Sequence, residues 1–150
     1  MTQRDELRIE LLSAENVHVV SELTKRCFRS PWSEEIYRRE LDNPQSVGFV
    51  CTADGRAVGM IHCNFVLDEL TLNTLCVDEA YRRRGIARKL WNAAAEMMQS
   101  VCTVCYLEVR ESNLPARTLY ESLGFVQTGY RPRYYSDPEE AAVLMTAVLK

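Results

Sequence analysis

The sequence has few histidines, little glycine or proline, and no long hydrophobic run. Of its 150 residues, two are histidine, six glycine and five proline. Its polar start is not followed by the apolar stretch of a secretory signal. The apolar tail at 141–149 is shorter than the ~20 residues that span a bilayer. We therefore expect a cytoplasmic protein without a membrane partner.

Positive charge is not in excess either. Lys and Arg total 18 against 21 Asp and Glu, which gives a formal net charge of −3. Binding to nucleic acid usually needs a basic footprint over a whole face, so we expect no nucleic-acid partner. Hydrophobic residues make up 47% of the chain, enough for an ordinary packed core. Because the chain shows no repeat, linker or low-complexity tract, we expect one domain over residues 1–150.

The six cysteines do not form a convincing metal or redox site. Most lie in apolar runs, as buried reduced thiols do in cytosolic proteins. Cys102 and Cys105 have the CxxC spacing, but they lead into a strand rather than start a helix. Only His18 and His62 are available to complete a zinc site. We expect no metal, and the role of the pair stays open.

Hydrophobic periodicity predicts the element order βααβββαβαββ. Ser13 and Ser33 are expected to cap the first two helices. The turn at Asp54-Gly55 predicts a hairpin, and the strands around it an antiparallel meander. The longest predicted loop covers residues 132–139. Predicted strands lie at 7–11, 47–52, 57–67, 69–77, 101–109, 125–129 and 142–149, and predicted helices at about 13–28, 33–43, 86–100 and 112–123.

The stretch from Tyr81 to Leu90, YRRRGIARKL, joins an apolar strand to an amphipathic helix. The dinucleotide pattern GxGxxG and the P-loop pattern GxxxxGK[ST] are both absent. The small residues Gly85 and Ala87 let backbone N–H groups approach an anion closely. Basic residues at a helix start oppose the helix dipole, so the surrounding arginines favour a bound phosphorylated anion over a merely solvated turn.

Three further polar residues are ambiguous from spacing alone. Glu108 lies mid-strand, where a solvent-facing carboxylate paired with Arg110 is the commoner arrangement. Tyr120 lies on the apolar stripe of a helix, where a core tyrosine with a bonded hydroxyl is commoner. Asn113 is equally suited to capping a helix and to contacting a ligand. The residues alone leave these alternatives open.

The motif Arg82-x-x-Gly85-x-Ala87, after the strand at 70–77, resembles the cofactor motif of the GCN5-related N-acetyltransferases (GNAT family), with Ala87 in place of the commoner glycine. The resemblance implies acetyl-coenzyme A, its pyrophosphate on the N–H groups of residues 83–88. It also implies an α/β (α+β) fold, a single domain with a mixed, mostly antiparallel sheet flanked by helices. The implied cofactor-binding residues are Leu75, Cys76, Val77, Arg82, Arg83, Arg84, Gly85, Ile86, Ala87, Arg88 and Asn113.

The segments LEVRESN at 107–113 and LYESLGF at 119–125 resemble the RimI branch of that family, which acetylates the N-terminal amine of a ribosomal protein. The resemblance implies acetyl transfer to a protein N-terminal α-amine by direct attack in a ternary complex. It implies Glu108 as general base and Tyr120 as general acid. An α-amine has a pKa of about 7.7–8.0 and must lose a proton before it attacks.

The identity of the acetyl acceptor is the most open point. Trp32, Tyr134 and Tyr135 are candidates for the wall of a peptide groove, although each also suits ordinary packing. Two other functions compete with the first: acetylation of a small amine, amino acid or lysine side chain, and non-catalytic binding of acetyl-coenzyme A. The presence of both Glu108 and Tyr120 argues against the last. The sequence assigns no role to Arg131 or Arg133, and no oligomeric state.

Overall fold

Strands and helices follow each other in the predicted order. The structure is a computed structural model that describes residues 6–149. A short 3₁₀ helix, Glu79–Tyr81, is the one element not expected from the sequence among those residues. The other elements are β1 (Leu7–Leu11), α1 (Val17–Cys27), α2 (Glu34–Leu41), β2 (Ser46–Ala53), β3 (Arg56–Val66), β4 (Glu69–Val77), α3 (Ile86–Met98), β5 (Val104–Arg110), α4 (Leu114–Ser122), β6 (Val126–Tyr135) and β7 (Glu140–Val148).

The strands form a mixed sheet. Across the described residues its order is β1-β2-β3-β4-β5-β7-β6. Strands β4 and β5 are parallel and pair over Glu69–Thr71. The pairs β1/β2, β2/β3, β5/β7 and β6/β7 are antiparallel. The predicted mixed, mostly antiparallel sheet is therefore confirmed. None of the described helices is both long and apolar enough to cross a membrane.

The described chain forms two compact units. The first unit contains residues 6–64 and Asn73–Met97, and the second contains Phe65–Leu72 and residues 98–149. The expectation of a single domain over residues 1–150 stays a prediction.

The core of the first unit is built on helix α1. Burying an aliphatic side chain of the size of Leu23 contributes about 1.5–3 kcal/mol. Helix α1 begins later than predicted, at Val17, because the side chain of Asn16 accepts a hydrogen bond from Ser13 N (2.8 Å) and donates one to Leu11 O (2.8 Å). These bonds hold residues 13–16 in a turn, so Ser13 does not cap the helix. One cluster of buried residues in this core consists of Val17, Val20, Leu23, Tyr37, Val50, Ala57, Met60 and Cys76.

The second unit is organised by the alternation of β5. Cys105, Leu107 and Val109 are buried, whereas Tyr106 and Glu108 are exposed. Strand β6 runs on to Tyr135, so the predicted loop at 132–139 was wrong in its first half. Because β6 is the last strand of the order, the missing N–H of Pro132 costs no interior ladder bond.

Candidate functional site

The segment between β4 and α3, in the first unit, has an unusual backbone. Arg82 is extended (φ −68°, ψ 159°), whereas Arg83 and Gly85 have positive φ angles of 64° and 74°. Helix α3 then begins at Ile86, and Lys89 N donates to Gly85 O at 3.0 Å. The N–H groups of the first helical turn have no partner within the helix. The loop therefore presents consecutive N–H groups of the kind that bind anions.

The space in front of this loop is open. A Cβ built on Gly85 meets no atom of the described residues within 4 Å. Arg82, Arg83 and Arg88 are exposed, and the guanidinium of Arg84 lies 4.7 Å from the ring centroid of Tyr81. Positive charge thus surrounds an accessible helix start, as a diphosphate requires.

Asp78 fixes the chain just before this loop. Its carboxylate accepts hydrogen bonds from Ala80 N (3.0 Å) and from Arg26 Nη2 (3.0 Å), and Arg56 Nη2 lies 3.5 Å away. The Ala80 N–H is the main cause that lowers the pKa of Asp78, and the Arg26 side chain adds to it. The ion pair joins residues 52 positions apart in the sequence, so the sequence pattern gave no sign of it.

A glycine in β3 positions helix α3, and sequence reasoning missed it. A Cβ on Gly59 would lie 2.8 Å from Ile86 Cγ2 and 3.1 Å from Leu90 Cδ1. Only a residue without a side chain lets the helix approach this closely. An isolated glycine inside a strand often indicates such a close approach, and Gly59 lies inside the strand predicted at 57–67.

The end of β4 is largely buried. Leu75 and Cys76 are buried and Val77 is half-buried. The Cys76 thiol packs in the core and is hydrogen-bonded to Cys27; this bond lowers the pKa of Cys27 to about 7 and raises that of Cys76. The Cys76 side chain therefore serves the core of the first unit.

Glu108 lies on the exposed face of β5 in the second unit. Interaction with the Glu108 carboxylate, chiefly through hydrogen bonding, raises the pKa of Tyr134. Arg110 pairs instead with Glu140 (3.3 Å), and its guanidinium lies 4.5 Å from the ring centroid of Tyr135. The interpretation of Glu108 as a partner of Arg110 was therefore wrong, because Arg110 holds the β6–β7 hairpin.

Tyr134 and Tyr135 lie together beside Glu108. Their rings are edge to face, with centroids 5.1 Å apart. Burial, and then the charge of Glu108, raises the pKa of Tyr135. The guanidinium of Arg131 lies 5.5 Å from the Tyr134 centroid, and Arg133 pairs with Glu139 at 3.2 Å. The structure thus brings a carboxylate and two aromatic residues into one cluster.

Helix α4 carries Asn113 and Tyr120. Asn113 Oδ1 accepts a hydrogen bond from Ala116 N at 3.2 Å, so the capping alternative is confirmed and a cofactor contact stays a prediction. Tyr120 is half-buried, and its ring meets Phe125 edge to face at 5.8 Å. This contact fits a core-packing tyrosine and leaves its predicted role untested.

Trp32 is half-buried in the first unit. Its indole lies 5.4 Å from the Tyr37 ring and 5.2 Å, edge on, from the His62 imidazole. Much of this ring is therefore engaged in packing, and its role in acceptor binding stays a prediction.

The CxxC cysteines behave as core residues. Cys102 and Cys105 are buried free thiols, and burial raises the pKa of Cys105 to about 12. Within residues 6–149, no three His, Cys, Asp or Glu side chains are grouped to hold a metal ion. Nothing in the geometry of these two thiols favours a thiolate.

Comparison with known proteins gives the family. The profile of the acetyltransferase (GNAT) family matches residues 17–125. The [ribosomal protein bS18]-alanine N-acetyltransferase of Salmonella typhimurium is 33% identical over 140 residues, 91% of this chain and 94% of that protein. The crystal structure of the ribosomal-protein-S18-alanine N-acetyltransferase from Escherichia coli matches with a TM-score of 0.85 at 30% identity, over 97% of this chain and 95% of that one. A chain of the NatC complex bound to Gag peptide and CoA matches with a TM-score of 0.80 at 26% identity, over 97% of this chain and 99% of that one. The chain belongs to the acetyltransferase (GNAT) family.

Proposed function

We propose that this protein transfers acetyl from acetyl-coenzyme A to the N-terminal α-amine of a protein, in the manner of the RimI branch. The relatives from Salmonella and Escherichia are named for alanine acetylation of ribosomal protein S18 and match over more than nine-tenths of this chain. They support a ribosomal protein with N-terminal alanine as the acceptor, a cytoplasmic location, and one acetyltransferase domain over residues 1–150.

The observation that carries this proposal is the loop from Arg82 to Arg88. Two left-handed residues, Arg83 and Gly85, turn the backbone immediately before helix α3, and the space in front of Gly85 is open. The pyrophosphate of acetyl-coenzyme A binds the N–H groups of residues 83–88, with the exposed arginines compensating its charge. Leu75, Cys76 and Val77 line the pantetheine arm through their backbone, and Asn113 adds a polar contact to the cofactor arm.

The reaction needs one proton acceptor and one proton donor. Glu108 removes a proton from the acceptor ammonium, and the free amine attacks the thioester carbonyl. The C–N bond forms and the C–S bond breaks in a ternary complex. Tyr120 gives its proton to the departing thiolate, and the second proton, which the nitrogen loses as the amide forms, restores the Tyr120 hydroxyl. Glu108 releases the first proton to solvent, so the products are the N-acetylated chain, coenzyme A and one proton.

Tyr134 supports the base in this scheme. Its hydroxyl interacts with the Glu108 carboxylate, which helps to hold that carboxylate in place. The exposed faces of Tyr134 and Tyr135 contact the first residues of the acceptor, and Trp32 is a separate candidate for acceptor binding in the first unit. Tyr134 is 47% exposed and thus has surface to offer.

A peptide panel tests the proposed function. The full chain is incubated with acetyl-coenzyme A and hexapeptides that differ only in their first residue, and thiol release is followed. We expect the highest kcat/KM for a peptide that begins with alanine. Turnover only of polyamines or free amino acids would contradict the proposal. Tight cofactor binding without turnover of any amine would show a binding module instead.

A further inference from the structure

His62, which is 0% exposed, forms a closed ring of contacts with Glu40, Asn64 and Asn73. Asn64 Nδ2 donates to Glu40 Oε1 at 3.0 Å, and Asn73 Nδ2 donates to Asn64 Oδ1 at 2.6 Å. Asn73 Nδ2 also lies 3.2 Å from His62 Nδ1, and His62 Nε2 lies 3.2 Å from Glu40 Oε1. Ser46 Oγ adds a contact of 2.8 Å to His62 Nε2. All of these residues belong to the first unit.

The carboxylate of Glu40 fixes the direction of every bond in this ring. An ionised carboxylate only accepts, so Asn64 must turn its NH₂ group toward Glu40 and its oxygen toward Asn73. Asn73 must then turn its own NH₂ group toward Asn64 and His62. His62 Nδ1 therefore accepts, and the imidazole proton lies on Nε2, facing Glu40 and Ser46.

One acceptor atom remains unused. Both protons of the Asn73 amide are committed to the ring, and no hydrogen bond among residues 6–149 uses its Oδ1. Asn73 is exposed. The ring thus leaves the carbonyl oxygen of an exposed residue without a hydrogen bond to these partners, and a ligand that binds this atom meets a side chain already ordered by its other bonds.

The ring carries negative charge. Hydrogen bonding from Asn64 is the main cause that lowers the pKa of Glu40. Its helix neighbours Arg38 and Arg39 pair with Glu34 (2.7 Å) and Glu35 (3.0 Å), respectively. Burial, the largest effect on His62, lowers its pKa and keeps the imidazole neutral. The ring therefore suits a cationic donor better than a neutral one.

Resting on the proposed function, we propose that Asn73 Oδ1 accepts a hydrogen bond from the α-ammonium group of the acceptor peptide, with His62, Asn64 and Glu40 as positioning residues. Asn73 precedes Leu75 by two positions on β4, a distance of ~7 Å along a strand. The acceptor nitrogen is thereby held beside the strand proposed to carry the pantetheine arm, and Asn73 becomes a determinant of specificity for a free N-terminus.

Paired ligands test this inference without relying on catalysis. An alanine-first hexapeptide and its analogue lacking the α-amino group are titrated by calorimetry into the full chain saturated with coenzyme A. Wild type should bind the amino peptide about tenfold or more tightly, as expected for a hydrogen bond to a charged group. Asn73→Leu should lose this preference and leave the affinity for the analogue unchanged. Asn92→Leu removes another exposed asparagine of the first unit and should keep the preference.

The positioning residues have their own test. Asn64→Leu frees the Asn73 amide to rotate, so the preference should fall several-fold while binding of the analogue persists; His62→Gln should act in the same direction. An unchanged preference in Asn73→Leu would overturn the inference and leave the proposed function standing. Failure of wild type both to bind and to acetylate the amino peptide would overturn the proposed function, and this inference with it.

Discussion

The two units of this chain offer two kinds of functional apparatus. The first unit provides fixed groups: a loop with left-handed Arg83 and Gly85, and a hydrogen-bonded ring closed by Glu40. The second provides the carboxylate proposed as general base, Glu108, which lies on a regular strand and interacts with the Tyr134 hydroxyl.

The two carboxylates make the contrast plain. Glu40 accepts from the amide of Asn64 and faces the imidazole of His62, and its side chain is 22% exposed. Glu108 stands on the exposed face of β5. A carboxylate that is enclosed by hydrogen-bond donors positions those donors, whereas an exposed carboxylate can accept a proton from a substrate. The proposed function accordingly places the pyrophosphate contacts in the first unit and the proton acceptor in the second.

The strongest test of this division is Glu108→Gln. Removing a general base typically lowers the rate by about 10²–10⁴-fold, and we expect kcat to fall by this order. Affinity for coenzyme A should not change, because the proposed pyrophosphate contacts lie on residues 83–88 and not on Glu108. Glu121→Gln, an exposed change on α4, serves as the control and should keep wild-type kcat. A wild-type rate in Glu108→Gln would remove the assigned base.

Gly85→Ala should produce the converse result. A φ of 74° costs a residue with a Cβ about 1–2 kcal/mol, so the loop shifts or the cofactor meets the new methyl group. We expect the Kd for coenzyme A to rise about tenfold. Gly55→Ala is a matched control, since Gly55 has a φ of 78° and open space around it, but lies in the β2–β3 turn. Equal effects of both changes on Kd would contradict the proposed cofactor loop.

Acid should weaken the ring in the first unit. Burial lowers the pKa of His62 even though Glu40 opposes this; Ser46, Asn73 and Trp32 also face the imidazole. In the unfolded chain this histidine has a pKa of about 6.5, so as the pH falls it binds a proton before the folded one does. The free energy of unfolding should therefore fall as pH decreases below about 6.5.

Urea unfolding at pH 7.5 and pH 5.5 measures this effect. His62→Gln should reduce the difference between the two pH values, and the exposed His18→Gln should retain it. A pH dependence that is the same in wild type and His62→Gln would show that His62 is not the titrating group.

The smallest expected effect concerns two thiols, one in each unit. The Cys76 S–H group lowers the pKa of half-buried Cys27 to about 7, and burial raises the pKa of Cys105 to about 12. Alkylation by iodoacetamide, followed by mass spectrometry, should modify Cys27 with a midpoint near pH 7 and spare Cys105. Cys76→Ala should move this midpoint upward. Preferential modification of Cys105 would refute the assignment.

Local patterns sufficed for much of the fold. The caps at Ser33 and Asn113, the Asp54-Gly55 turn and the alternation of β5 all depend on residues close in sequence. The errors arose where distant partners decide. The loop predicted at 132–139 was wrong in its first half, since the edge position of β6 is not visible in the sequence. Arg110 pairs with Glu140, thirty residues away, rather than with Glu108.

The residues of the candidate site were likewise predictable only where they are close together in the sequence. The pattern Arg82-x-x-Gly85-x-Ala87 is contiguous, so the sequence predicted an anion-binding helix start. The ring around His62 joins residues from Glu40 to Asn73, and its bond directions follow from contacts that no spacing rule contains. Asn73 could therefore be singled out only from the structure.

In the proposed function, the acetyl group goes to a protein α-amine. The most direct measurement uses one hexapeptide with N-terminal alanine and an internal lysine, incubated with the full chain and acetyl-coenzyme A. Tandem mass spectrometry then locates the added acetyl group. We predict a single acetyl group on the alanine nitrogen. Acetylation of the lysine side chain alone, or no acetylated peptide at all, would contradict the account.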